Sequence, residues 1–321
     1  MERYYIGWWN VENLFDVVNS SQRPDWLQRE LNRELQGWDD KVLNRKISQL
    51  SKIIQQMNQG QGPDILGVCE IENEPVLTRL VESLEPLKRD YAIAHHDTSD
   101  QRGIDVAFIY DRTKFTKGLQ FNHVILKRTA TRDLFQVNFQ TRSGKDLILV
   151  GNHWPSRLGG VLESEPYRIV AGETLSYWVS RILEEKGQDV AVMVMGDFND
   201  EPFNRSITDY ALGSNNQTRV INSRTPRLYN LMWSFFGKGI GTFYFQNVPN
   251  MLDQFMVTKG LINKKRQFDI DFDSVKIEMF PEMVARGAYP DPIRFSRPAE
   301  SLNENGFSDH YPISLVLVER D

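Results

Sequence analysis

Four apolar runs of strand length occur along the chain, at residues 64–69, 146–150, 190–195 and 313–318. Each run has polar, chemically versatile residues at one end. These are Glu70 after the first run, Asn152 and His153 after the second, Asp197 and Asn199 after the third, and Asp309 and His310 before the fourth. Such groups are costly to bury at a strand end unless they meet a metal ion or a substrate. The pattern therefore predicts that four strand ends form one shared site.

Two segments have the periodicity of amphipathic helices. Apolar residues recur at spacings of three and four across residues 41–57, and either Asp39 or Asp40 can cap the N-terminus. Residues 167–186 show the same pattern, and Gly187 provides a stop signal.

Further strands are predicted at residues 104–110, 121–126 and 134–140. The last two are typical of a hairpin, with a polar break at residues 127–133. Residues 279–306 are rich in Pro, Arg and Asn, and a loop of this length is usually functional or mobile.

Strands and helices alternate without the regular βαβ rhythm of a parallel sheet. We therefore predict an α/β fold in which the strands form two facing sheets and the helices pack outside them. No Pro- or Gly/Ser-rich linker divides the 321 residues, which predicts one domain over residues 1–321.

Composition and charge narrow the functional classes. The chain is 40% hydrophobic and 25% charged, as expected for a globular enzyme with a large core. Its net charge of −5 argues against a nonspecific nucleic-acid coat, which needs a broadly basic surface. A nuclease is still allowed, because a few arginines and a bound cation can hold one phosphate.

Targeting signals and cysteines add little to this picture. No apolar stretch approaches the roughly 20 residues that cross a bilayer, and the N-terminus lacks the pattern of a signal peptide. We expect a cytoplasmic monomer, or a secreted or periplasmic one if a leader has been removed. The lone Cys69 excludes an intramolecular disulfide, and its apolar run predicts an inert core thiol.

Glu70 and Asn10 are candidate metal ligands. Magnesium takes one or two protein carboxylates and keeps several waters, so a single Glu70 at the end of a buried strand suits a principal ligand. The alternative for Glu70 is an acidic entry to a helix, as expected for Glu72 and Glu74. Asn10 is either a neutral oxygen ligand or phosphate contact, or a turn-forming residue.

His153 is the histidine whose neighbours favour function. At a strand end it can protonate or orient a phosphoryl oxygen, and Arg157 can hold another oxygen. A lone histidine is more often structural, which is the role predicted for His95, His96 and His123.

Two further acidic positions suggest catalytic pairs. Asp197 and Asn199 share a face if their strand continues, so one can orient or deprotonate a water while the other holds the phosphate; a simple turn is the alternative. Asp253 precedes an apolar strand and needs a partner, for which His310 is the candidate. Such a pair fixes the imidazole tautomer and raises its basicity, which leaves Asp309 free to face a metal ion.

Arg102 and Asp105 are charged residues at the start of the strand predicted at residues 104–110. Asp105 can orient the His153 ring in the same manner. The alternative is a surface salt bridge between Asp105 and Arg102.

Six motifs and Glu70 together resemble a known family, and the resemblance spans nearly the whole chain in that family's order. They are Trp9-Asn10-Val11-Glu12-Asn13, Glu70, Arg102-Gly103-Ile104-Asp105-Val106-Ala107, Asn152-His153-Trp154, Gly196-Asp197-Phe198-Asn199, Leu252-Asp253-Gln254 and Ser308-Asp309-His310. The set resembles the endonuclease/exonuclease/phosphatase family, which includes deoxyribonuclease I, abasic-site exonucleases, inositol polyphosphate 5-phosphatases and neutral sphingomyelinases. The segment from Asn152 to Arg157, with Arg168 on the next helix, looks more like a bacterial secreted-nuclease-like branch than the abasic-site repair branch.

The resemblance implies a four-layer α/β/β/α sandwich with the site at one end of two mostly antiparallel sheets. It also implies attack of water on a phosphoester, dependent on Mg²⁺ or Mn²⁺, with one or two ions acting. Glu70 would be the principal metal ligand, helped by Asn10 and Asp309.

The resemblance also implies roles for the other motif residues. Asp197 and Asn199 would position the nucleophile and the phosphate. His310, oriented by Asp253, would be the general base, and His153 would stabilise or protonate the transition-state oxygens. The candidate phosphate-binding residues are Arg102, Asn152, Arg157 and Arg168.

The substrate is not determined by these motifs, because family members with different substrates share this chemistry. Specificity is expected in the loops at residues 157–167, 225–246 and 279–307. The middle loop mixes basic and aromatic residues, which either stack on bases or belong to the core. Arg286, Arg294 and Arg297 either hold further phosphates or are solvated surface charges. We favour a nuclease or phosphodiesterase; the alternatives are an inositol-phosphatase-like phosphomonoesterase and a non-catalytic phosphoester-binding scaffold.

Overall fold

Strands dominate the computed structural model, which describes residues 1–263 and 266–320. The strands are β1 Glu2–Leu14, β2 Ile65–Ile71, β3 Tyr91–His95, β4 Asp105–Asp111, β5 Phe115–His123, β6 Leu134–Thr141, β7 Asp146–His153, β8 Ala191–Asp197, β9 Gly213–Ser214, β10 Leu228–Asn230, β11 Phe243–Phe245, β12 Val248–Asn250, β13 Asp253–Val257, β14 Phe268–Ile277 and β15 Ile313–Glu319. The α-helices are α1 Asp25–Leu31, α2 Asp40–Gly60, α3 Glu74–Glu82, α4 Val161–Lys186 and α5 Gln217–Asn222. Single helical turns of 3₁₀ or π type occur at Glu85–Leu87, Ser206–Tyr210, Leu231–Phe235, Lys259–Leu261 and Pro281–Met283.

All of these strands except β11 and β12 pair into two large sheets, and β11 and β12 form a separate two-stranded sheet. The first has the order β14-β15-β1-β2-β4-β3, and the second has the order β5-β6-β7-β8-β13-β10-β9. Most neighbours are antiparallel, and the parallel pairs are β1 with β2, β7 with β8, and β9 with β10. The predicted α/β architecture with two mostly antiparallel sheets is therefore confirmed.

The apolar run of β8 shows how the layers stack. Met193 and Met195 belong to the large core between the sheets, whereas Val192 and Val194 belong to a second core with residues of α4. Side chains on a strand alternate between its two faces, so a strand covered on both faces is apolar throughout. Helix α4 thus covers the outer face of the second sheet.

Close contact between the sheets depends on a glycine. Gly67 lies between Trp8 and Phe108 in the register of the first sheet. A Cβ atom on Gly67 would lie 2.6 Å from Trp8 Cε3 and 3.1 Å from the Met195 sulfur of the facing sheet. The missing side chain at this position makes room for the Trp8 ring.

The predicted helices are present with shifted starts. Asp39 is the N-cap of α2, because its carboxylate accepts a hydrogen bond from Val42 N at 2.9 Å. Met57 has an extended ψ of 154°, and Asn58 and Gln59 have left-handed backbones, so regular helix ends at Gln56, one residue before the end that the periodicity indicates. Helix α4 begins six residues earlier than its periodicity indicates and contains Pro166 near its start.

Two sequence-based predictions of local structure are wrong. The strand predicted at residues 121–126 is β5, which ends at His123; beyond it Val124 and Leu126 are exposed to solvent. The segment 225–246, predicted as a loop, contains β10 and a 3₁₀ turn. The alternation at Phe243 and Phe245 indicates an ordinary strand, and β11 confirms it. No helix in the described residues combines the length and apolar character needed to cross a membrane.

The packing at Gly67 generates a stability prediction. We expect Gly67→Ala to lower the free energy of unfolding by about 1–3 kcal/mol, because overpacking displaces the rings on either side. Urea unfolding of Gly67→Ala measures this change in stability, with Gly287→Ala as the control. A Cβ atom on Gly287 would have no atom of the described residues within 4 Å. Equal midpoints for the two variants would contradict the prediction.

Candidate functional site

Strand register brings the predicted site residues to one edge of both sheets. In the second sheet, Asp197 at the end of β8 is paired with His153 of β7 on one side and with Asp253 of β13 on the other. In the first sheet, Asn10 of β1 is paired with Cys69, which precedes Glu70 on β2. The parallel pairs end at the same edge, so their terminal side chains converge.

Asp197 is the centre of this cluster. Its Oδ2 atom lies 3.0 Å from Asn10 Nδ2, and 3.8 Å from the Nε2 atoms of both His153 and His310. The backbone N–H of Asn199 donates to Asp197 Oδ1 at 2.9 Å. Burial, aided by the negative charge of Asp253, raises the pKa of Asp197 to about 6 despite the proximity of His310.

The structure brings Asp253 and His310 together, as the sequence predicts. His310 Nδ1 lies 2.7 Å from Asp253 Oδ2, and the indole N–H of Trp8 donates to Asp253 Oδ1 at 3.0 Å. Burial alone would lower the pKa of His310, but the carboxylates of Asp253 and Asp197 outweigh it and raise that pKa well above its ordinary value. The geometry leaves His310 Nε2 facing the cluster.

His153 has the opposite electrostatic environment. Burial, together with the positive charges of Arg132 and Arg102, lowers its pKa well below the ordinary value. Its Nε2 atom is 3.7 Å from Glu70 Oε1. A neutral His153 therefore faces a protonated His310 across Asp197.

Glu70 is held ionised at the end of β2. Its backbone has a left-handed φ of 66° where the register of β2 shifts against both neighbouring strands. Burial would raise the pKa of Glu70, but the charges of Arg102 and His310 lower it overall. Asn13 N donates to Glu70 Oε2 at 2.8 Å, and Arg102 is hydrogen-bonded to the Asn13 side chain. Arg102 therefore lies beside the predicted metal ligand.

The chemistry of the carboxylates fits a hard divalent cation. Burial and the negative charges of Glu12 and Glu70 raise the pKa of Asp309 to about 7. Glu70 and Asp309 are carboxylates whose charges act on each other, and carboxylate oxygens are the donors that Mg²⁺ or Mn²⁺ prefers. Asn10 is not oriented as a metal ligand. Its N–H₂ group donates to Asp197 and lies 3.4 Å from Glu70. Its oxygen accepts a hydrogen bond from Glu12 N at 3.0 Å. This geometry favours a bridging donor over the predicted oxygen ligand.

Two predicted phosphate contacts, Asn152 and Arg168, are hydrogen-bonded to partners behind the cluster instead of facing it. Arg168 forms an ion pair with Asp200 at 2.8 Å and donates to Ser164 Oγ at 2.7 Å. Asn152 donates to the Val150 carbonyl and accepts from the Trp154 indole. Both side chains stabilise the loops behind the site.

Arg157 is also directed into the protein rather than towards the cluster. Its Nε donates to the Asn199 carbonyl at 2.7 Å, and its guanidinium approaches Asp200 at 3.5 Å. Asn199 in turn donates from its amide to the Trp154 carbonyl at 3.0 Å. Arg157 and Asn199 thus fix the turn that positions Asp197.

Asp105 does not orient His153, and this prediction is wrong. Asp105 Oδ1 accepts hydrogen bonds from Thr98 N at 2.9 Å and Thr98 Oγ1 at 2.6 Å, and its other oxygen faces His95. Within the described residues, His153 Nδ1 has no hydrogen-bond partner. The proposed salt bridge to Arg102 is not formed either, because Asp105 is buried and Arg102 turns to Asn13.

Four residues near the site were not predicted. Arg132 donates to the Trp154 carbonyl, and Asp200 anchors the arginines behind Asn199. Glu12 binds Arg294 at 2.9 Å and the backbone of residues 295 and 296, and Lys46 lies 3.8 Å from Glu12. The sequence could have indicated Lys46, because this charged residue interrupts the apolar face of the helix at residues 41–57.

The loop residues proposed for specificity have different positions. Phe243 reaches the site, with its ring centroid 4.9 Å from that of His310. Tyr229 and Phe235 pack against the core, and Arg297 pairs with Glu34 and Glu300. Thr242 of the same segment also supports the cluster, because its hydroxyl oxygen accepts a hydrogen bond from Asp253 N at 3.0 Å.

Core burial confirms the interpretation of two other residues. Cys69 is fully buried, and burial raises the pKa of its thiol well above the ordinary value, so it is inert. His123 is buried against the Trp178 ring and lies 2.8 Å from the Gln136 amide oxygen.

A family model described as "Endonuclease/Exonuclease/phosphatase family" matches residues 5–320. A solved protein of that family from Bacteroides thetaiotaomicron is 14% identical, with a TM-score of 0.58 over 100% of this chain and 99% of the other. A mannosyl-6-phosphatase from the same organism is 16% identical, with a TM-score of 0.57 over 98% and 99% of the two chains. Truncated TDP2 from Caenorhabditis elegans is 16% identical, with a TM-score of 0.58 over 98% and 97%. Comparison with curated proteins found no match.

The buried ion pair behind the site generates a stability prediction. We expect Arg168→Met to lower the free energy of unfolding by about 3–5 kcal/mol, because it removes the fully buried partner of Asp200 and leaves only the more distant guanidinium of Arg157. Urea unfolding measures this against Arg181→Met, which breaks an exposed pair with Glu184. An effect no larger than that of the control would contradict the structural role.

The Asp253–His310 pair generates a prediction about protonation. In the native protein we expect the His310 imidazole to stay protonated at pH values where an ordinary imidazole has lost its proton, because nearby carboxylates raise its pKa. Asp253→Asn removes the closest of these charges, so the pKa of His310 should fall. NMR titration of the ring protons measures both values, with exposed His96 as the internal reference. An unchanged His310 titration in Asp253→Asn would contradict the assignment.

Proposed function

The chain belongs to the endonuclease/exonuclease/phosphatase family, and we propose that it is a divalent-metal-dependent phosphodiesterase that cleaves nucleic acid or a related diester. The observation that carries this proposal is the cluster at Asp197, where a carboxylate, two imidazoles and an amide meet within 3.8 Å beside Glu70. Hydrolysis needs a base for water, donors for the developing charge and a cation for the phosphate. The cluster and the neighbouring Glu70 provide a candidate base, candidate donors and a candidate ligand for the cation.

Asp197 is the proposed general base. An efficient base has a pKa near the working pH, and burial raises the pKa of Asp197 to about 6. Asn10 and the backbone of Asn199 fix the carboxylate orientation through both oxygens. Asp197 therefore accepts the proton of a water that attacks phosphorus.

His310 takes the part of a charged donor in this proposal, instead of the general base expected from the sequence. Its Nδ1–H is committed to Asp253, and a raised pKa keeps a proton on Nε2 as well. Nε2–H can donate to a phosphoryl oxygen as negative charge develops there. Neutral His153, on the other side of Asp197, provides a second donor without adding charge.

Glu70 and Asp309 are the residues that would hold Mg²⁺ or Mn²⁺. When bound, the ion would neutralise charge on the phosphoryl oxygens. Arg102 supports this part of the site by keeping Glu70 ionised.

Arginines near the site are paired with acidic residues of the protein, and this pairing favours a diester over a polyphosphorylated substrate. Arg157 and Arg168 are turned to Asp200, and Arg294 is paired with Glu12. A diester carries a single negative charge, whereas inositol polyphosphates carry many and need a cluster of free cations. The Phe243 ring beside His310 adds a surface on which a base or another planar group can stack.

The proposed activity predicts the effect of two substitutions. We expect Asp197→Asn to lower kcat with bis-p-nitrophenyl phosphate by about 10²–10⁴-fold, because the general base is lost. Glu70→Gln should remove the dependence of the rate on added Mg²⁺ or Mn²⁺, and EDTA should reduce native activity to the same level. The matched control is Glu74→Gln, an exposed acid four residues from Glu70.

The same assay distinguishes the substrate classes. It is run on plasmid and single-stranded DNA, RNA, p-nitrophenyl phosphate, inositol polyphosphates and sphingomyelin. Activity confined to monoesters would replace the diesterase with a phosphomonoesterase. Tight phosphoester binding without turnover at any metal concentration would indicate a binding scaffold.

A further inference from the structure

A second group of potential metal ligands lies at the edge of the first sheet. It consists of His95 at the end of β3, Asp97 two residues later and Asp105 at the start of β4. One ring nitrogen of His95 and one carboxylate oxygen from each aspartate lie within 4.8 Å of one another. None of these residues takes part in the hydrolytic cluster.

The His95 ring is buried without a satisfactory partner. Its side chain is 2% exposed, and its Nε2 atom has no hydrogen-bond partner among the described residues. A buried polar atom of this kind is costly unless something else satisfies it. The structural role predicted for this histidine therefore leaves its ring nitrogen unexplained.

The distances suit a shared cation. His95 Nε2 lies 3.4 Å from Asp105 Oδ2. Two ligands bonded at 2.0–2.1 Å to a tetrahedral metal ion are about 3.3 Å apart. The Asp97 carboxylate lies 3.9 Å from the other ring nitrogen, and its 79% exposed side chain can move to complete the site.

The supporting contacts resemble those around metal ligands. Thr98 donates both its N–H and its hydroxyl to Asp105 Oδ1, which fixes that carboxylate and leaves Oδ2 towards His95. Gln120 donates to the His95 carbonyl at 3.3 Å. Such second contacts orient ligands before the metal ion arrives.

We propose that His95, Asp97 and Asp105 bind Zn²⁺, with water completing the coordination on the exposed side. One imidazole and two carboxylates suit Zn²⁺, whereas Mg²⁺ and Ca²⁺ take oxygen ligands. This site is separate from the Glu70 and Asp309 carboxylates and does not depend on the proposed hydrolytic activity.

The site has a structural consequence for the hydrolytic cluster. The loop that follows His95 carries Asp100, which accepts from Arg102 N at 2.9 Å and lies 3.3 Å from Arg132. The same loop delivers the Arg102 side chain to Asn13. A zinc ion would join the two ends of this loop and stabilise the position of Arg102.

Zinc binding to four forms of the purified protein tests the proposal. Equilibrium dialysis with Zn²⁺ alone, and the visible spectrum after Co²⁺ addition, are measured for the native chain, Asp97→Asn, Glu70→Gln and Asp273→Asn. We expect one zinc equivalent whose affinity falls at least tenfold in Asp97→Asn and is kept in Glu70→Gln. Asp97 is exposed, so this variant folds; exposed Asp273 is the matched control.

Three results would overturn the proposal. They are the absence of zinc binding to the native chain, equal affinity in Asp97→Asn and the native chain, and loss of the bound zinc in Glu70→Gln alone. A zinc-dependent rise in Tm that is present in the native chain and in Asp273→Asn but absent in Asp97→Asn would support it independently of catalysis.

Discussion

The hydrogen bond between Asn10 and Asp197 joins the two sheets at the site, and the remaining polar geometry depends on it. Asn10 belongs to the first sheet and Asp197 to the second, with their side-chain atoms 3.0 Å apart. A second link, from the Trp8 indole to Asp253, crosses the same gap at 3.0 Å. These bonds can form because Gly67 lets the sheets approach. Packing in the core thereby sets the distances between the catalytic groups.

The carboxylates of the site are held by backbone amides in strained conformations. Glu12, Asn13, Glu70 and Asn199 all have left-handed φ values, between 50° and 66°. Such conformations cost on the order of 1–3 kcal/mol each and persist where the surroundings fix them. Here the N–H groups of Asn13 and Asn199 donate to Glu70 and Asp197. The strain is therefore coupled to the orientation of the two acids.

Apolar periodicity predicted the strands and the convergence of Glu70, His153, Asp197 and His310, because strand register decides which ends meet. The partners of long side chains could not be predicted in the same way. In the folded chain Arg168 is fully buried against Asp200, and Asp105 accepts a hydrogen bond from Thr98. Both contacts depend on how the chain folds around these side chains. Sequence shows that a charged group is present, but its desolvation and pairing depend on neighbours distant along the chain.

The first strand has a consequence for biosynthesis. β1 lies between β2 and β15, and Trp9 donates its indole N–H to the His310 carbonyl across 301 positions of sequence. The first sheet is therefore incomplete until the residues of β15 have left the ribosome. Long-range pairing of this kind slows folding, and in every shorter nascent chain it keeps Asp309 and His310 away from the groups on the second sheet. A nascent polypeptide thus has no assembled phosphoester-cleaving centre until β15 has emerged from the ribosome.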